Sequence, residues 1–181
     1  SISGSSKLLN IIDDVNIIGI GSNAIGSECD IDNIYFSENI YALSENAFDG
    51  SSVENAVFYC LDEFEVAIDA FGACGDNFKV YTSYDDSELA EECDAADITC
   101  VTDYEFEENT LLKYNGRAAP VELPECLNIT TIGSSAFKNN RSLTSIDLGE
   151  EIYAINDSAF YGCSKLQNVT NSEKVKRIGN G

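Results

Sequence analysis

Ile132-Gly-Ser-Ser-Ala-Phe-Lys-Asn-Asn-Arg-Ser-Leu-Thr-Ser-Ile-Asp-Leu148 is the stretch from which most of the chain can be read, because most of the chain repeats it. Ile155-Asn-Asp-Ser-Ala-Phe160 follows its opening six residues at an offset of 23, and Leu166-Gln-Asn-Val169 follows Leu143-Thr-Ser-Ile146 at the same offset. Two halves matched at one spacing mark an internal repeat. The 23-residue step also finds Ala24-Ile25, Ala47-Phe48 and Ala70-Phe71, each preceded four residues earlier by an apolar residue: Ile20, Leu43 or Val66. Ser1 to Ile11 lie in register with Ala159 to Val169, and a further box would begin one residue past Gly181. Both ends therefore read as cuts through a longer array, the second array truncated mid-repeat.

Each unit offers about five apolar anchors, each giving roughly 1.5–3 kcal/mol on burial. Ordering 23 residues costs about 1–2 kcal/mol apiece in backbone entropy. One repeat cannot fold by itself, so stability has to come from stacking repeat on repeat.

The pattern Ile-Gly-x-x-Ala-Phe-x-x-Cys-x-x-Leu-x-x-Val-x-Leu, with Ala159, Phe160, Cys163, Leu166 and Val169 in place, resembles the BspA-type leucine-rich repeats of cell-surface proteins from bacteria and protists. The resemblance covers residues 1–81 and 111–181. The chain departs from it at Ile25, where Phe is expected, and at Asn171, where Leu is expected; in the second repeat Val53, Ala56 and Phe58 sit one residue early. The resemblance implies an α/β leucine-rich repeat solenoid, with short parallel strands and 3₁₀ or short helical turns, in two arrays joined by a capping segment.

Strands are expected near residues 8–12, 31–36, 53–59 and 78–81, one per repeat, with each Ala-Phe box forming a turn on the opposite side. From Thr82 to Thr110 the period breaks, and the segment holds eleven acids with no Lys or Arg. Asp85 with Glu88 reads as a capping box, Leu89, Cys93 and Ala96 fall on one helical face, and residues 98–101 read as a strand. The surface-protein resemblance makes this a C-terminal cap, which gives a first array with its cap over residues 1–102 and a hairpin with the second array over residues 103–181. The hairpin is placed at residues 111–114 and 121–124, with Asn115-Gly116 in its turn and Pro124 ending its second strand.

Residues 1–110 carry 25 acids against Lys7 and Lys79, a net charge of −23, whereas residues 111–181 carry 7 acids and 8 bases, net +1. The acidic first half argues against a nucleic-acid or anionic-membrane partner, since both need Lys and Arg to displace counterions; a solvated acidic face that keeps a secreted protein soluble is the plainer reading of the charge. No apolar run reaches membrane-spanning length, so this segment inserts into no membrane.

Chemical motifs are few. Gly19-Ile-Gly-Ser-Asn-Ala24 fits a dinucleotide fingerprint after a strand at residues 15–18, but it aligns with Gly133 and Ala136 of the repeat and belongs to it. The chain has no histidine, which excludes a Ser-His-Asp triad, a Cys-His dyad and His-bearing zinc sites. Asp30-Ile-Asp32 begins like a calcium loop but puts Ile34 at a ligand position and has no glycine at the sixth. No metal and no cofactor is expected. Four Asn-x-Ser/Thr sequons begin at Asn128, Asn140, Asn156 and Asn168. Seven cysteines leave at least one unpaired; Cys74 and Cys163 occupy the repeat's own Cys position as buried free thiols, and Cys93 with Cys100 is the expected bonded pair.

The resemblance implies a non-enzymatic binding or adhesion module of a secreted or cell-surface protein, monomeric, taking a protein or glycan ligand. In a strand written Leu-x-x-Ile-x-Leu the residues flanking Ile point to the open face. These are Asn33 and Tyr35, Asn55 and Val57, Lys79 and Tyr81 in the first array, with Ser145, Asp147, Asn168 and Thr170 in the second. Exposed tyrosine suits binding surfaces, so contact is expected to centre on Tyr35 and Tyr81; cross-strand packing is the competing reading of both. The rival functions are a passive spacer and a carboxylate glycoside hydrolase, for which no particular acid pair stands out.

Overall fold

The structure, a computed structural model, describes residues 8–10, 19–26, 29, 31–36, 42–59, 65–66, 68–72, 74–83 and 87–181. Residues 11–12, 15–18, Asp30, Cys60 and Asp85 of the sequence reading lie outside them. The chain divides into two compact units, Ser1–Thr102 and Asp103–Gly181, and each is a leucine-rich repeat solenoid.

In the first unit, β1 (Leu8–Asn10), β3 (Asn33–Phe36), β5 (Asn55–Phe58), β7 (Lys79–Thr82) and β8 (Thr99–Val101) form one parallel sheet in that order. A second sheet is built from β2 (Gly19–Ile20), β4 (Ala42–Leu43) and β6 (Glu65–Val66), the short strands that precede each box. The early residues of the second repeat are absorbed without a bulge. Asn33 pairs with Asn55, 22 residues on, and Asn55 with Lys79, 24 residues on. Ile34, Phe36, Ala56, Phe58 and Val80 point into a core shared with Leu43, Phe48 and Phe71.

In the second unit the pre-box sheet runs β9 (Tyr104–Glu107), β10 (Thr110–Tyr114), β12 (Thr131–Ile132), β14 (Ala154–Ile155) and β16 (Arg177–Ile178). The other sheet holds β11 (Val121–Glu122), β13 (Ser145–Asp147) and β15 (Asn168–Thr170).

The Ala-Phe boxes are tight corners. Ala47, Ala70, Ala136 and Ala159 are buried, while Ala24 of the first box is exposed. Residues 68–71 wind as a 3₁₀ helix, and the other boxes are turns closed by i to i+3 bonds such as Asp49 N to Asn46 O (3.2 Å) and Lys138 N to Ser135 O (3.0 Å). The residue before Ala takes a left-handed conformation at Asn23, Asn46, Ser135 and Ser158, and so does the third residue after Ala at Gly50, Asn139 and Gly162. Corners then stack on each other: Phe48 N donates to Ala70 O (2.9 Å) and Phe137 N to Ala159 O (2.8 Å). Their rings stack too, Phe48 on Phe71 at 5.0 Å and Phe137 on Phe160 at 5.1 Å. The Cys position follows directly. Cys163 Sγ donates to Phe137 O (3.0 Å) and Cys74 Sγ to Phe48 O (3.9 Å), both half-buried rather than fully buried, and both free.

Both ends of the interrupting segment correct the expectation in part. Helix α1 (Ser87–Ala95) and β8 cap the first array, with Leu89 and Cys93 buried; Ala96 lies past the helix end and is exposed. The expected Cys93–Cys100 bond is not formed, and no disulfide joins any two of the six described cysteines. The hairpin forms one strand earlier than expected. β10 pairs antiparallel with β9 across a turn holding Glu108 at φ 48°, while β11 pairs parallel with β13. Parallel pairing buries Val121 beside Ile146 and gives Leu123 N the carbonyl of Asp147 (3.2 Å). Asn115 instead ties the hairpin, its N–H on Asp103 O (2.8 Å) and its amide on Glu105 Oε1 (2.7 Å). Tyr114 stands 23 residues before Phe137 and takes the missing box's place: its N–H reaches Ala136 O (3.0 Å) and its ring lies 5.3 Å from Phe137.

Because Phe137 is almost wholly buried between Tyr114 and Phe160, Phe137→Ala should lose about 3–5 kcal/mol of stability. Denaturant unfolding of the variant measures it; a loss under about 1 kcal/mol would mean that the ring stack carries no weight.

Candidate binding face

The sheet built from β1, β3, β5, β7 and β8 sets the first array's candidate residues in rows. Asn33, Asn55 and Lys79 are in register, as are Tyr35, Val57 and Tyr81. Neither row is the open surface that alternation suggests. Tyr35 is 2% exposed and Tyr81 6%, with Val57 between them fully buried. Tyr35 stacks at 6.2 Å on Tyr59, its diagonal neighbour two residues beyond Val57. Adjacent strands stand about 4.8 Å apart, close enough for large side chains on one row to cover each other. Cross-strand packing therefore governs both tyrosines. Asn33 is buried as well, its Oδ1 accepting from Asn55 Nδ2 at 2.8 Å, and Asn55 is half-buried. Lys79 is exposed.

The second unit differs. Val121 and Ile146 turn inward from β11 and β13, leaving Glu122, Asp147 and Thr170 in one register row and Ser145 with Asn168 in the next. Glu122, Asn168 and Thr170 are exposed, and Ser145 and Asp147 half-buried. Asp147 is fixed in place. Its Oδ1 accepts from Gly149 N (2.9 Å) and from Asn171 Nδ2 (2.7 Å). The Gly149 N–H, then the Asn171 amide and the Thr170 hydroxyl, hold its carboxyl below the usual carboxylate range. Asn171 sits at the repeat's Leu position, 23 residues after Leu148, with φ 53°. Replacing an inward Leu by an amide supplies Asp147 with a donor.

Elsewhere on this unit Tyr153 and Tyr161 are exposed. The hydroxyls of Thr131 and Thr130 hold the Tyr153 phenol below its usual value, while Lys138 Nζ lies 5.8 Å above the Tyr161 ring. Among the described residues no three His, Cys, Asp or Glu side chains are grouped so as to hold a metal ion, and no helix is long and apolar enough to cross a membrane.

The family model for the BspA type leucine-rich repeat region matches six copies over residues 2–75 and 96–181. The chain belongs to that family. No curated protein matches the chain, and no solved structure does. BspA-type repeats are typical of non-enzymatic, often surface-associated proteins. Membership accounts for the corners, the Cys position and the parallel sheets. It does not account for Glu122, which joins an open row, or for Asn171, which braces Asp147 of that row. Asn171 was signalled by its misfit to the Leu position; Glu122 follows from the β11 to β13 pairing, which the repeat spacing does not announce.

Two outcomes follow. Tyr35→Ala should lower stability by about 3 kcal/mol or more, as for any buried aromatic, and a melting curve that does not move would restore Tyr35 to the surface. For Asp147, whose folded carboxyl titrates below the ordinary 3.8, the stabilisation is present above 3.8 and is lost as pH falls through the lower folded value. Carboxyl carbon shifts recorded by NMR should therefore place its midpoint below 3.8, and Asp147→Asn should differ from the parent by less than about 1 kcal/mol because the group is solvent-screened.

Proposed function

We propose that the chain is a non-enzymatic binding module of a secreted or surface-attached protein, acting as a monomer, whose protein or glycan partner docks on the open rows of the second array. What supports this reading most is the pair of solvent-facing polar rows, Glu122, Asp147 and Thr170 beside Ser145 and Asn168, presented by a rigid three-stranded sheet. Donors and acceptors held at fixed strand spacing lose little entropy on meeting a polar ligand. Asp147 is anchored on one oxygen by Gly149 and Asn171.

Lys79 and Asn55 contribute on the first array only where they reach solvent. The second array's rows themselves carry the carboxylates of Glu122 and Asp147 and no Lys or Arg, which speaks against a nucleic-acid partner there.

The test is binding of the labelled full chain to an array of immobilised glycans and extracellular proteins. A triple variant, Asp147→Ala with Asn168→Ala and Thr170→Ala, should reduce any captured signal at least about tenfold while leaving the melting curve within a few degrees. Capture that survives the triple variant would move the site off these rows. No capture by any array element would favour the spacer function.

A further inference from the structure

The cap of the first array holds chemistry that a binding face does not use. Helix α1 ends in a Schellman turn: Asp97 is left-handed at φ 58°, Ile98 N donates to Cys93 O at 2.8 Å, and Asp97 N to Asp94 O at 3.2 Å. That turn reverses the chain directly after the helix. The returning strand β8 then pairs with β7, placing Cys100 opposite Val80. Cys93 is fully buried in the cluster that includes Phe71, Phe78, Val80 and Leu89, and Ile98 and Cys100 pack against the same cluster. The two thiols are in hydrogen-bonding contact. Each sulfur is thus carried by a regular element, the helix or the strand, and the turn between them is closed by backbone bonds.

We propose that Cys93 and Cys100 form a dithiol–disulfide site which, once oxidised, staples α1 to β8 and locks the cap. The inference is independent of the binding face. The oxidant is an organic disulfide, either small and soluble or the catalytic disulfide of a thiol oxidoreductase. Cys100, half-buried, is the sulfur within reach of solvent. Its thiolate attacks one sulfur of the incoming disulfide, releasing the first thiolate and leaving a mixed disulfide on Cys100. Cys93 then loses its proton to solvent and attacks Cys100 Sγ, expelling the second thiolate. Two protein thiols and one external disulfide become one protein disulfide and two external thiols.

The hydrogen bond to Cys100 and then burial push the Cys93 thiol well above its ordinary range, so the second step is slow at neutral pH and quickens as pH rises. Cys74 and Cys163 are placed otherwise, each sulfur donating to a carbonyl of the preceding repeat.

The experiment treats the full chain with oxidised glutathione at mildly alkaline pH and digests it without reduction for mass spectrometry. The expected product is a linked peptide joining Cys93 to Cys100, lighter by two hydrogens than the dithiol. Its unfolding midpoint should rise by about 5 °C or more over the reduced protein, return on adding a reducing thiol, and show no such rise in Cys100→Ser. Finding both thiols still alkylated after oxidation and unfolding, or Cys100 linked to another cysteine, would overturn the proposal. An unchanged or lower midpoint in the oxidised protein would overturn the stapling role even with the bond formed.

Discussion

A 23-residue turn of chain cannot bury its own apolar face, so everything depends on how one Ala-Phe corner seats on the next. Seating requires the amide of each Phe to aim along the stack at the following Ala carbonyl, as Phe48 and Phe137 do at 2.9 and 2.8 Å. That orientation is obtained by bending the backbone left-handed on both sides of the pair. Glycine and asparagine accept the bend readily; Ser135 and Ser158, at φ 65° and 56°, accept it at a cost of about 1–2 kcal/mol. At the Ser135 corner, burial of the Phe137 ring and its backbone hydrogen bond outweigh that cost. Gly162 shows how tight the seating is, since a Cβ there would collide with the Asn139 side chain of the preceding corner.

What was legible in the sequence was whatever repeats. The 23-residue period places the corners, the order of the parallel strands and the Cys position, because each is a local rule applied again and again. What was not legible was pairing between elements that do not repeat. Asn115-Gly116 is a strong hairpin signal by itself, yet Val121 has a better partner in Ile146 of the next repeat, and only the assembled sheet reveals it. Tyr114 could have been found, because subtracting one period from Phe137 lands on it. For Tyr35 and Tyr81 the sequence left two readings open, a binding surface and cross-strand packing, and their burial favours the second. Strand alternation states which side of a sheet a residue occupies, not whether that side is covered, and rings on neighbouring strands cover each other.

The two arrays consequently present different faces from one repeat. In the first, aromatic and β-branched residues fill the row of Tyr35, Val57 and Tyr81, and the Asn55 amide donates to the Asn33 carbonyl. In the second, the corresponding rows carry short polar side chains and carboxylates that remain wet. Side-chain size decides between the two outcomes at a fixed strand spacing. Ser, Thr and Asp cover less of the sheet than a tyrosine ring does, so these rows keep contact with solvent even where Thr170 and Asn171 donate to Asp147.

Positions that break the repeat are where the chain does something other than stack. At Asn171 an inward leucine is exchanged for an amide that braces Asp147, giving up buried area for a fixed acceptor. At Tyr114 a ring is kept but its corner is replaced by a hairpin strand, so the second array starts with its first phenylalanine already covered. In the cap of the first array the helix and returning strand bring two cysteines against one cluster, a juxtaposition no repeat position creates. Each break departs from the repeat and gains an interaction that the repeat itself does not provide. A repeat that tolerated no such exchange would be more stable, but its surface would be the same at every turn, leaving nothing for a partner to distinguish.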